Sequence, residues 1–402
     1  MDITKATKHY EAWLHETLPV VINADLTFKH EEMASAPFPF MRATFYRWAQ
    51  RWVHCCPHLV DVPVVLGVGD LHVENYGTWR DAEGRLVWGI NDFDEATHLP
   101  YTADLVRLAT SAALAASGHH LSSALDVAAK AMLAGYTEGL LRGGAPFVLA
   151  GKHGELRRLA TGELRDPARF WAKMEALPEA QVSHYPSDAV HAVTYSLPGG
   201  ADGTDPSEVS IRSRRAGLGS LGRPRLVALA PWQGAPVARE IKALLPSAWD
   251  WALDKPTLLD KPTLLDKPTL LDKPTLLDKP TLLDQPTLLD QPTLPLHYAE
   301  ILGQAVRDGD PCTDVQGSWV LRRLAPDCAR IELADLPAER DETMLLHSMG
   351  FELANIHLGT PGAGAAIGHD LAERTRQHPD WLVTAAERMV ADTEADWNAW
   401  RA

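Results

Sequence analysis

Gly69-Asp70-Leu71-His72-Val73-Glu74-Asn75 follows directly on the apolar, β-branched run Val62-Pro63-Val64-Val65-Leu66-Gly67-Val68. A short buried strand that delivers an acid and, five positions on, an amide to one tight loop can bring both side chains to one point. Asp70 can orient a hydroxyl and accept its proton, and the Asn75 amide oxygen can hold a divalent cation. A second short strand, Leu86-Val87-Trp88-Gly89-Ile90, runs into Asn91-Asp92-Phe93-Asp94-Glu95. Asp92 and Asp94 then complete an oxygen-donor set suited to Mg²⁺. Phosphoryl transfer needs this layout: one acid at the nucleophile, and an amide and an acid on the metal. Gly-Asp-x-His also occurs in metallophosphatases and Asp-x-Asp in acidic surface turns. The two segments together, each at a strand end, are more specific than either alone.

A glycine-rich turn lies far downstream, Ala216-Gly217-Leu218-Gly219-Ser220-Leu221-Gly222, with Lys242 following on a strand-like segment, Val237-Ala238-Arg239-Glu240-Ile241-Lys242. Backbone amides in such a turn approach phosphates closely, and a lysine on a neighbouring strand can grip them. Gly217, Gly219, Ser220, Gly222 and Lys242 are therefore the candidate nucleotide-binding residues. The helix that opens after a dinucleotide-binding turn is missing here, because Arg223-Pro224-Arg225 continues into a strand. A hairpin covering a nucleotide fits better than a dinucleotide turn.

Around these motifs, residues 5–60 read as helical, as do 104–141, 298–306, 341–357 and 371–402. Residues 186–250 read as rich in strands, with further strands at 319–324 and 330–333. Asp-Lys/Gln-Pro-Thr-Leu recurs with a six-residue period from Asp254 to Asp290. A proline in every copy forbids a continuous helix, and six residues is short for a helical or propeller repeat. The segment reads as a low-complexity insertion in a surface loop. Trp48, Trp52, Trp249 and Trp251 read as core or rim residues.

The chain has 402 residues, with 38 Lys+Arg against 53 Asp+Glu, a net charge of −15. An acidic chain has no general pull on a nucleic-acid backbone or an anionic membrane, so neither is an expected partner. The cysteines Cys55, Cys56, Cys312 and Cys328 are too few and scattered for a disulfide scaffold. The first residues lack a basic-then-apolar signal, and no apolar run reaches the length of a membrane span. A cytoplasmic protein is the expectation.

Pro37-Phe38-Pro39-Phe40-Met41-Arg42, then Gly69 to Gly77, then Ile90-Asn91-Asp92-Phe93-Asp94-Glu95, resembles the bacterial domain-of-unknown-function 2252 family, over most of residues 28–360. Its motifs are similar to those of aminoglycoside phosphotransferases and other protein-kinase-like enzymes. That resemblance implies an α+β, kinase-like two-lobe fold with a mostly helical large lobe and a small antiparallel-sheet lobe. By it, Asp70 is the catalytic-loop acid, Asn75 and Asp92 bind the metal, and Asp94 is an extra ligand or a surface acid. Asp104 matches a helix-start acid that hydrogen-bonds the catalytic loop, with a plain N-cap as its alternative. His72 reads as a brace of the loop rather than a second base, and Arg42 as support for the site or as a packing residue. Glu300, on the helix after the repeat, is the expected acid partner of Lys242.

The order of the parts is reversed relative to kinases, since the glycine turn and lysine follow the catalytic loop. The simplest account is circular permutation. The implied division is a helical lobe over 1–185, a glycine hairpin and lysine strand over 186–252, the insertion over 253–294, the rest of the small lobe over 295–335, and returning helices over 336–402. Two geometric expectations follow: the segments around Gly217 and Asp70 face each other across one cleft, and the helix near 345–357 packs beside the strand near 62–68. The leading functional expectation is an ATP- and Mg²⁺-dependent phosphotransferase acting on a small-molecule or protein hydroxyl. AMP transfer on the same fold and a non-catalytic nucleotide-binding protein are the alternatives. A metallophosphoesterase is disfavoured because no Gly-Asn-His segment occurs.

Overall fold

A computed structural model describes residues 1–118, 120–160, 166–200, 208–254, 296–328 and 341–402. The hexapeptide repeat after Asp254 and the strand expected at 330–333 lie outside the described residues.

Four helices open the chain: α1 (Ile3–Thr17), α2 (Asn23–Ser35), α3 (Pro37–Ala43) and α4 (Phe45–Cys55). Asp2 caps α1 by accepting from Lys5 N at 2.8 Å, and Pro37 starts α3 where a missing N–H costs nothing. Tyr10 stacks on Tyr46 with ring centroids 4.2 Å apart, tying α1 to α4. The strands β1 (Val64–Gly67), β2 (Tyr76–Arg80), β3 (Leu86–Ile90) and β4 (Thr97–Pro100) follow. β1 pairs with β4, and β2 pairs with β3, both antiparallel.

The helical stretch expected over 104–141 is two helices, α5 (Tyr101–Ser117) and α6 (Leu125–Arg142), broken after Gly118. β5 (Phe147–Val148) adds to β3, and α7 (Gly154–Ala160), α8 (Pro167–Glu175) and α9 (Ser187–Tyr195) lead out of this region. The segment expected to be rich in strands from 186 thus opens on a helix. Its strands begin at β6 (Ser210–Ser213) and continue as β7 (Arg225–Trp232) and β8 (Ala235–Ala243). After α10 (Ala248–Asp254) and α11 (Tyr298–Gln304), β9 (Asp314–Gln316) and β10 (Trp319–Leu324) complete an antiparallel sheet in the order β6-β7-β8-β10-β9. Helices with small antiparallel sheets make the fold α+β.

The chain ends in α12 (Glu342–His357), α13 (Ala363–Gln377) and α14 (Trp381–Arg401), which return to the helices of the first half. α12 lies against α6 and β1, as expected for the helix near 345–357, and α14 against α4 and α5. Trp48, Trp52, Trp249 and Trp251 are all buried in the main core. The four cysteines are free. Among the described residues no helix is long and apolar enough to cross a membrane.

The α6–α12 crossing is a backbone-to-backbone contact. A Cβ on Gly135 would lie 1.8 Å from His347 O, and one on Gly350 would lie 1.9 Å from Met132 O. Either contact would force the helices apart and loosen the support of β1. Gly135→Ala and Gly350→Ala should each lower stability by about 3 kcal/mol, the upper range for overpacking. Gly368→Ala, in open space on α13, should instead gain about 1 kcal/mol of helix propensity. Urea midpoints of the three variants check both signs.

Candidate active site

β1 delivers the chain to Val68 and Gly69, and Gly69 turns it in the left-handed region, at φ 79°. A Cβ at Gly69 would lie 2.3 Å from Glu95 O, so only glycine lets the two acidic segments come this close. Asp104, wholly buried on α5, accepts from Val68 N at 2.7 Å and Gly69 N at 2.9 Å. His357 Nε2 lies 3.1 Å from Asp104 Oδ2, and its Nδ1 lies 2.7 Å from Tyr136 Oη. α5, α12 and α6 therefore hold the start of the loop through one buried chain of hydrogen bonds. Asp104 sits inside the first turn of α5, whose N-cap is Pro100, so it is not a plain cap.

Inside the loop, His72 N donates to Asn75 Oδ1 at 2.9 Å and Glu74 N donates to His72 Nδ1 at 3.1 Å. These bonds give His72 a bracing place. They also engage the Asn75 oxygen with the loop's own backbone. Asp70 points into the cleft with 18% of its side chain exposed, and Arg107 donates to its Oδ1 from Nη2 and from Nε at 3.1 Å. Burial pushes the Asp70 carboxyl up to about 6, with Arg107 pulling against it. Arg107 also donates to Met41 O at 3.0 Å and lies over the rings of Phe45 and Trp48.

Lys242 on β8 is buried behind the acids, in a close ion pair with Asp94 and 3.3 Å from Asp92, and like Gly222 it does not itself line the cleft. Burial pushes the Lys242 amine down, and the two carboxylates oppose that. Burial and the neighbouring Asp92 push Asp94 up. Glu300 does not supply the expected acid. Its carboxylate accepts from His297 Nδ1 at 2.6 Å and Gln304 Nε2 at 3.2 Å, at the start of its own helix. Lys242 is buried and takes the acids that face it directly. Glu95 binds Arg223 Nη2 at 2.6 Å and accepts from Ala248 N at 2.6 Å.

The glycine turn lies across Asp70. A Cβ on Gly219 would sit 3.0 Å from Asp70 Oδ2 and 3.1 Å from Arg42 O. α2 holds it there: Lys29 Nζ donates to Gly219 O at 3.1 Å, and Ile22 N, just before α2, donates to Gly222 O at 2.9 Å. Asp70, His72, Asn75, Asp92, Asp94, Gly217, Gly219 and Ser220 thus line one cleft of about 420 Å³, counting solvent at its mouth. Arg42 and Arg223 join the lining, and Arg42 is paired with Glu74 at 2.5 Å. Among the described residues no group of three or more His, Cys, Asp or Glu converges as a ready metal site.

Sequence reasoning missed Arg107, Arg223 and Lys29. Arg107 carried a signal, being one helical turn after Asp104 and so on the same face. Lys29 carried none, since its partner is 190 positions away.

Residues 22–157 match the model of the family described as an uncharacterized protein conserved in bacteria, DUF2252. That stretch holds Arg42, Asp70, Asn75, Asp92, Asp94, Asp104 and Arg107, while the glycine turn and Lys242 lie beyond it. Comparisons with curated proteins and with solved structures gave no match.

Removing the Asp104 carboxylate leaves two buried amides without their acceptor, each costing about 1–3 kcal/mol. Asp104→Ala should therefore lose about 2–6 kcal/mol in urea unfolding, far more than a surface Asp→Ala control.

Proposed function

We propose that this chain is a phosphotransferase of kinase-like type, in circularly permuted order, that moves a phosphoryl group from ATP to a hydroxyl acceptor. One observation carries the reading: Asp70, Asn75, Asp92, Asp94 and the Gly217–Ser220 turn line a single cleft, although the turn is far from the acids in sequence. Support comes also from Lys242, which stands on the third strand of its sheet, beyond a glycine-rich turn, and reaches Asp92 and Asp94. Protein kinases place their phosphate-gripping lysine in the same way.

Asp92, Asp94 and Asn75 offer hard oxygen donors, and the three carboxylates of Asp92, Asp94 and Glu95 against Lys242 and Arg223 leave a negative charge over. This set fits Mg²⁺, which when bound would neutralise charge on the phosphates. The chain's own groups do the rest. Backbone amides of the glycine turn and Lys242 hold the triphosphate. Asp70 orients the acceptor hydroxyl and takes its proton as the acceptor oxygen bonds to the γ-phosphorus and the bond to ADP breaks. Arg107 keeps Asp70 aimed and favours its charged form.

Calorimetry with ATP and Mg²⁺ tests the reading. The wild-type chain should bind, and Asp92→Ala and Lys242→Ala should each weaken binding by about tenfold or more; unchanged binding in both would remove the proposal. Label from γ-³²P-ATP, not α-³²P-ATP, should pass to an acceptor in a metabolite extract, and the opposite result would mean AMP transfer. Asp70 works as its carboxylate, so transfer should rise with pH through about 6. Asp70→Asn should cost about 100-fold or more in rate across the range.

A further inference from the structure

Residues two apart on a strand share a face, as do directly opposed residues of antiparallel neighbours. By register Arg225 lies opposite Lys242, and Arg322 lies opposite Glu240. Lys242, Glu240, Arg225 and Arg322 therefore project from the face whose lysine meets Asp92 and Asp94. Glu240 is wholly buried and binds three guanidiniums. Arg225 and Arg322 donate to its Oε1 at 2.8 Å each, and Arg214, just after β6, donates to Oε2.

Three arginines on one carboxylate leave two positive charges over, in a chain whose net charge is −15. Three N–H donors fill most of the carboxylate's lone pairs, yet they bring three full positive charges to one negative charge. Arg225 also stands directly across from Lys242, and like charges so placed destabilise a ladder. Arg214 and Arg322 keep 24% and 22% of their side chains exposed, beside the cleft rather than in its lining. Arg225 donates to Ser220 Oγ at 3.0 Å and Arg322 to Asn91 O at 3.3 Å, so the cluster joins the glycine turn to the Asp92 loop. Beyond Glu240 the same face is closed. Leu229 and Leu324, both opposite Ala238, pack against Phe170, Trp171 and Met174 of α8. An acidic end, a basic middle and an apolar plug follow one another along β8.

We infer that Arg214, Arg225 and Arg322 anchor the donor's phosphates, and that the donor is recognised as a polyphosphate rather than by its base. The inference rests on the phosphotransfer reading above. A guanidinium fork matches two phosphate oxygens at once. A flat base needs an open apolar slot; on this face Lys242 has Glu240 two positions along its strand and Arg225 opposite, while the apolar Val320 and Val227 opposite Lys242 and Glu240 are already buried in the core.

Calorimetry on the full chain with Mg²⁺ should compare ATP, GTP and inorganic tripolyphosphate. All three should bind wild type with closely similar affinity. Arg322→Met and Arg214→Met should each weaken all three by about tenfold or more, with circular-dichroism melts showing that the variants fold. Should Arg322→Met not fold, Arg214→Met, on a loop, carries the comparison. ATP binding without GTP or tripolyphosphate binding would place recognition on the base and overturn the inference while leaving the phosphotransfer reading intact. Unchanged affinity in the folded variants would overturn it equally. Tripolyphosphate binding without ATP binding would support the arginine anchor and remove ATP as donor. Binding of none of the three would overturn both.

Discussion

The Asp104 carboxylate is the constraint on which the cleft depends. It accepts from two successive amides, Val68 N and Gly69 N, at the point where β1 becomes the acidic loop. A buried carboxylate is tolerable only when its lone pairs are filled. Here the two amides and His357 fill them, and Tyr136 in turn engages His357. The bonds run to α5, α12 and α6, so the loop's position is set by the packing of three helices. The glycine contact between α6 and α12 fixes the depth of His357. Arg107, one turn along α5 from Asp104, reaches Asp70 itself. One helix thus fixes both the backbone of the loop and the direction of its acid.

Charge in the cleft is balanced in a graded way. Asp70 is pushed up by burial because Arg107 compensates it only in part. Burial also pushes Glu240 up, yet Arg225, Arg214 and Arg322 overcome it and hold that carboxyl well below the ordinary range. Asp94, like Asp70, is raised, by burial and by Asp92, with Lys242 and Arg223 pulling against it. The site therefore contains one permanently ionised acid that only organises arginines, and a set of under-compensated acids at the opening. Under-compensated acids are where a proton or a cation can bind with gain.

Local features were legible in the sequence, and long-range partnerships were not. Gly69 to Asn75 and Asn91 to Glu95 stand at strand ends, so their nearness follows from two short strands and tight turns. The tryptophans of α4 and α10 were readable as core or rim from their size and apolar area, and all four are buried. The strand reading failed at α9, where Ser187-Asp188-Ala189-Val190 starts a helix amid turn-rich sequence. Periodicity also hid the break between α5 and α6, since Ala and Leu continue on both sides of it. Glu300 was mistaken as the partner of Lys242 because a sequence shows that an acid lies on a helix but not which way it points. Asp94 is the partner through burial beside the lysine, which only the folded packing decides.

The N-terminal helices explain how parts so distant in the chain make one site. α2 and the residue before it hold the glycine turn through Lys29 and Ile22. Met41 of α3 and the rings of α4 seat Arg107, the partner of Asp70. One contiguous segment therefore grips both walls of the cleft. At the other end, Leu66 N of β1 donates to Thr360 Oγ1, just past α12. The strand that leads into the acidic loop and α12 thus lie side by side. A direct covalent link between them is unnecessary because packing already supplies the adjacency. The contacts of α2 and α3 hold the glycine turn and Arg107 on opposite sides of Asp70.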